Sequence, residues 1–119
     1  MKNTTTITTT QKIVNKINSK KEFTFIKNKS IEPKNYIVSV QNIYTGKNPS
    51  LFFNMNLEIN KILSNDIYDS IGLWLDKETS LYVVDANVHF YTLETAKHIA
   101  RKYDQKAVYD INKNECIFI

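Results

Sequence analysis

Glycine and proline are scarce in this sequence of 119 residues, at two each, and cysteine occurs once. So few glycines leave little material for a loop that wraps phosphate in backbone N–H groups, and no GxGxxG, P-loop or nucleophile-elbow spacing occurs. Nucleotide enzymes of the familiar kinds are excluded. A lone cysteine forbids an intrachain disulfide, and Cys116, between Glu115 and Ile117 on an expected strand, reads as a small buried hydrophobe. That usage fits a reducing compartment. No apolar run approaches the roughly 20 residues of a bilayer span, and MKNTTTITTT lacks the apolar segment of a secretory signal. The expectation is a cytoplasmic protein with no membrane partner. HxH, CxxC and HExxH spacings are also missing, so neither a metal nor another cofactor is expected.

Arginine is nearly absent as well: Arg101 is alone among 16 basic residues. The residue best suited to bidentate readout of guanine or phosphate is therefore missing from any basic patch. The lysines are unevenly placed. Residues 1–50 carry nine against Glu22 and Glu32, a charge of +7, whereas residues 51–119 carry seven basic and ten acidic side chains, or −3. A basic N-terminal arm on a mildly acidic body can serve nucleic acid, an acidic partner or solubility.

What is present is pattern. In LYVVDANVHFY, Tyr82, Val84, Ala86, Val88 and Phe90 alternate with Asp85, Asn87 and His89, which predicts a strand with one apolar and one polar face. Hairpins surround it: IGLWLD and a DKET turn before it, then a helix from Leu93, KAVYDI, a NKNE turn and CIFI after it. Thr92 is a suitable N-cap for that helix, and Leu93, Ala96, Ile99, Ala100 and Tyr103 form its apolar stripe. Upstream, residues 22–27 and 36–44 read as strands separated by a loop carrying Asn28, Pro33 and Asn35. Residues 51–63 carry both periods. A division near Asn56 leaves LFFNM alternating as a strand would and LEINKIL as a helix. Residues 1–10 are mostly Thr and Asn and are expected to be disordered, with a short amphipathic helix over 11–20. Gly72, inside a strand, marks a bulge or a close approach. These elements give one α+β domain over residues 21–119, a mostly antiparallel sheet packed against two helices, preceded by a basic arm over residues 1–20 that is disordered or short-helical.

Three sets of residues could carry function. Asp85, Asn87 and His89 are spaced by roughly 6.8 Å on a regular strand, so Asp85 and His89, about 13 Å apart, are too distant to share a metal. Their face is either a structural or solvated surface, a recognition surface for a partner or ligand, or a small catalytic site. Lys12, Lys16 and Lys20 recur one helical turn apart, with Lys21 adjacent, and form either a solvated face or a nonspecific nucleic-acid contact. The last strand, apolar on both faces after Glu115, either lies inside the sheet, the preferred reading, or is an edge that pairs with another chain, as in a homodimer. His98, one turn after Glu94, is expected to make an exposed pair with it.

One resemblance adds to this. Residues 71–115 resemble small uncharacterised proteins of bacteriophages and mobile elements, through Gly72, Trp74 and Asp76 on one strand, Tyr82 and Asp85 on the next, and Gln105, Ala107 and Asp110 after the helix. Leu73 and Leu75 depart from that pattern, where such proteins are often more polar or β-branched. The resemblance implies a non-enzymatic accessory role, binding a host protein and inhibiting a defence effector such as a CRISPR nuclease. Asp76, Asp85, Asn87 and His89 are the expected partner-binding residues. The alternatives are nucleic-acid binding through the arm and a small-ligand or catalytic site at Asp85, Asn87 and His89.

Overall fold

A computed structural model describes residues 8–27 and 34–119. The elements run α1 (Thr9–Ser19), β1 (Phe23–Ile26), β2 (Tyr36–Gly46), a 3-10 turn (Pro49–Leu51), α2 (Met55–Ser64), β3 (Ser70–Asp76), β4 (Leu81–Phe90), α3 (Leu93–Lys102), β5 (Ala107–Asp110) and β6 (Glu115–Phe118). The strands form one curled antiparallel sheet in the order β1-β3-β4-β2-β5-β6. An α+β fold built on an antiparallel sheet is what the alternation and turn signals require.

Strand order is where topology enters. β2 and β3 are parallel and enclose β4, with α2 as the crossover; β4 and β5 are parallel and enclose β2, with α3 as the crossover. Residues 36–110 thus trace two interlocked split β-α-β units, the ferredoxin-like plait, and β1 and β6 extend it at its two edges. Such a plait hosts many unrelated functions and assigns none by itself.

The helices pack on the sheet face that bears Val84 and Ala86. One cluster joins Ile13, Val14 and Ile17 of α1 and Met55, Ile59 and Ile62 of α2 to Ile71, Leu73, Val84 and Ala86. A second joins Ala96 and Ala100 of α3 to Val38 and Val108, the two alanines letting the helix lie close to the strands. Thr92 caps α3 as expected, its hydroxyl accepting the Thr95 N–H at 3.3 Å. The sheet is therefore packed against three helices, not two. The helix expected over 11–20 begins at Thr9, where the Thr8 hydroxyl accepts the Gln11 N–H, and its apolar stripe lies inside the main core. The stripe Ile13, Val14, Ile17 is short, and its complement on α2 is invisible without the fold. The expected disorder of residues 1–7 and the loop residues Asn28 and Pro33 lie outside the described residues.

Four expectations need correction. LFFNM is not a strand: Pro49 opens a 3-10 turn, α2 starts at Met55 after Asn54, and Phe53 is 95% exposed, so the apparent alternation faces no sheet. Gly72 marks no bulge, since the pairing of β3 with both neighbours is unbroken there, and a Cβ would meet only ordinary contacts from 3.5 Å outward. The irregularities are in β2 instead, between Ser39 and Gln41 and between Asn42 and Tyr44. Finally, β6 is an edge and does not lie inside the sheet, because β5 reaches only Tyr36 and Ile37 of β2 on one side and takes β6 on the other. Cys116 is exposed accordingly.

Replacing Ile17 by Ala should lower stability by about 2–4 kcal/mol, since it empties a fully buried site between α1 and the sheet. Urea denaturation monitored by circular dichroism checks this; an unchanged midpoint would mean that α1 does not belong to the core.

Candidate functional site

The polar side of β4 faces away from all three helices, yet it is sealed. Asp85 is 7% exposed, Asn87 6% and His89 5%. A carboxylate, an amide and an imidazole can remain under cover only where each finds hydrogen-bond partners, and the neighbouring strands supply them. Two separate clusters result.

Around Asp85, the carboxylate is held from both sides: Asn42 Nδ2 donates to Oδ1 at 3.1 Å and Trp74 Nε1 donates to Oδ2 at 3.1 Å. Gly72 pairs directly with Asp85 across β3 and β4, so no side chain stands between the carboxylate and the indole two residues further along. Asn42 reaches it through the irregularity in β2. A bulge places two consecutive residues on one side of a strand; Val40 and Gln41 share the helix side, which brings Asn42 into register with Asp85. Simple alternation from Tyr36 puts Asn42 on the helix side instead. That is why reading the sequence missed it.

Around His89, Asn87 Nδ2 donates to Ser70 Oγ at 3.0 Å, and Ser70 Oγ lies 2.7 Å from His89 Nε2. A neutral ring satisfies this bond in either of two ways, with the Ser70 hydroxyl donating to a bare Nε2 or with Nε2–H donating to the Ser70 oxygen, which has lone pairs for both His89 and Asn87. Burial pushes the imidazole below its usual value and Lys34 pushes it the same way, against the opposing effect of Asp69. Asp69 itself accepts the backbone N–H of His89 at 2.9 Å.

A hydroxyl hydrogen-bonded to an imidazole is the arrangement that activates a serine nucleophile. Here Ser70 is completely buried, and its lone pair already accepts from Asn87. His89 borders a recess of about 310 Å³ with Lys34, Tyr91 and Thr95, but Ser70 does not line it. Among the described residues no group of three or more His, Cys, Asp or Glu side chains is placed to hold a metal ion. The row is a set of internal clamps: Asp85, Asn87 and His89, the expected partner-binding residues, are all buried, and His89 alone of the three borders a recess. Asp76, half-buried, accepts the Glu78 N–H at 3.0 Å and closes the β3–β4 turn.

The lysines fare differently. Lys12, Lys16, Lys20 and Lys21 are all exposed, but the row is interrupted: Lys16 lies over the Phe23 ring at 5.7 Å, and Lys20 ends α1 in a left-handed conformation. His98 is exposed, with no ion pair to Glu94.

What reading the sequence missed is a groove on the helix side. Between the connection that follows α2 and the C-terminal end of α3 lies a cavity of about 450 Å³, lined on the sheet side by Val40, Val88 and Phe90. Ile67 and Tyr103 stand on its two walls and are 66% and 47% exposed. No residue spacing announces it, because its lining comes from four separate segments: β2, the α2–β3 connection, β4 and the end of α3. No helix is long and apolar enough to cross a membrane among the described residues. Compared with known family models, curated proteins and solved structures, the chain matches none.

Two outcomes follow from the clamps. Asp85→Ala should cost about 1.5–3 kcal/mol, because it removes a charged acceptor and strands the Asn42 and Trp74 donors, with a shift in Trp74 fluorescence as an independent readout. For His89 the folded state prefers the neutral ring, so its contribution is full above the unfolded value of about 6.5 and is lost as pH falls from there toward the lower folded value. The melting temperature should drop on acidification from pH 7 to pH 5, and His89→Gln should flatten that drop; identical slopes in both proteins would contradict the assignment.

Proposed function

We propose that this chain is a non-enzymatic, protein-binding accessory protein that takes an apolar segment of its partner into the groove between the α2–β3 connection and α3. One contrast carries the reading: the polar residues that could do chemistry are sealed against one another, while apolar and aromatic residues are left open in the groove. Exposed apolar patches with polar margins are the surfaces proteins use to bind one another, and Tyr68, Gln41 and Lys102 supply that margin here. The resemblance of residues 71–115 to phage and mobile-element proteins supports a wider form of the proposal, in which the partner is a host defence effector such as a CRISPR nuclease and binding occludes it in the cytoplasm.

A second reading rests on the four exposed lysines Lys12, Lys16, Lys20 and Lys21, which could meet a phosphate backbone without base specificity. The two are separable. With tagged protein in lysate of the native host, Ile67→Glu and Tyr103→Glu should abolish specific capture of a partner with the circular dichroism unchanged, whereas Lys→Glu replacements at the four lysines should leave it intact. Loss of capture only in the lysine variant, together with salt-dependent DNA or RNA binding by the parent, would overturn the groove in favour of the arm.

A further inference from the structure

We propose that β6 is a self-complementary edge through which two copies of this chain pair antiparallel about a two-fold axis at Ile117. The backbone sets the register. Ile119 N–H donates to the Lys106 carbonyl at 3.0 Å, and Ile117 pairs with Val108. In an antiparallel ladder the residues that bond one neighbour alternate with those that bond the other. Glu115, Ile117 and Ile119 therefore turn their N–H and C=O groups to β5, and Cys116 and Phe118 turn theirs to the open side.

A two-fold axis at Ile117 sets Cys116 of each copy opposite Phe118 of the other. Both outward residues then meet as hydrogen-bonded pairs, giving four N–H···O=C bonds. Shifting the axis to Cys116 loses half of these, because Phe118 would face Asn114, whose φ of 52° takes it out of the extended conformation. Side chains agree with the backbone. Cys116 and Phe118 share one sheet face, so the Phe118 ring, 77% exposed, lies against the exposed Cys116 of the second copy. The one charge of the strand, Glu115, falls opposite Ile119 and away from its own copy. β6 also lacks the lysine, proline or bulge that commonly blunts an edge. A pairing this short is well below the roughly 1,200–2,000 Å² of a standard interface, so the association is reversible and concentration-dependent.

The test uses the full chain. Sedimentation equilibrium from about 10 μM to 1 mM should show the mean mass rising from monomer toward dimer. Phe118→Pro removes an outward N–H and no bond to β5, so it should remain monomeric throughout with an unchanged circular dichroism spectrum. In the double variant Cys116→Ser, Ile117→Cys, the two new thiols face each other as a non-hydrogen-bonded pair about 4.5 Å apart between Cα atoms and should oxidise to a covalent dimer. The parent's Cys116 residues, about 8 Å apart across the axis, should not. Three results would each overturn the proposal: a parent that stays monomeric, a Phe118→Pro variant that dimerises as the parent does, or a disulfide that forms through Cys116 in the parent while the double variant stays reduced. The groove is untouched by these changes, so partner capture that survives in Phe118→Pro separates failure of this pairing from failure of the binding function.

Discussion

The pairing of β4 with β2 on one side and β3 on the other is the constraint on which everything else rests. β4 is central and long, and its side chains must satisfy two environments at once. Toward the helices it offers Val84 and Ala86 to the main core; on its other side it offers a carboxylate, an amide and an imidazole. The second face is stable only because its neighbours carry the right donors at the right register, Trp74 and Ser70 from β3 and Asn42 from β2. The bulge in β2 is what makes Asn42 available. Without that extra residue, Asp85 would keep one donor and leave an oxygen unpaired in a site with almost no water.

This division explains why the molecule is closed along the polar row, where a recognition surface was expected, and open beside α3. A buried polar network holds the strands in one register, because a slip of one residue would turn every polar group of β4 into the apolar core. The helix layer has no comparable constraint. α2 satisfies its apolar face against α1, and α3 satisfies its own against β2 and β5, which leaves the recess between α3 and the connection that follows α2 open. Apolar surface at Ile67, Tyr103 and Phe118 is thus left exposed by folding.

Much of the fold is legible in the residues. The two-faced strand at 81–90, the hairpins on either side of α3, and the Thr92 cap all rest on local signals whose range is shorter than a hairpin. What is not legible depends on distant partners. The ladder of Asp85, Asn87 and His89 has the same spacing whether water or protein lies against it, and only the strand order brings Ser70, Trp74 and Asn42 to it. CIFI is apolar enough for a central strand, and nothing in four residues says that the sheet ends there. LFFNM alternates by composition alone, and Pro49 with the start of α2 decides otherwise.

The polar row of β4 is internal structure, and His89 is the member whose burial can be read in solution. Nitrogen NMR of its imidazole reports both charge and tautomer. A neutral ring at pH 7, held in one tautomer by the bond between Nε2 and Ser70 Oγ, is the expected result. A ring that interconverts between tautomers and titrates at the ordinary value of about 6.5 would place His89 in water and contradict it.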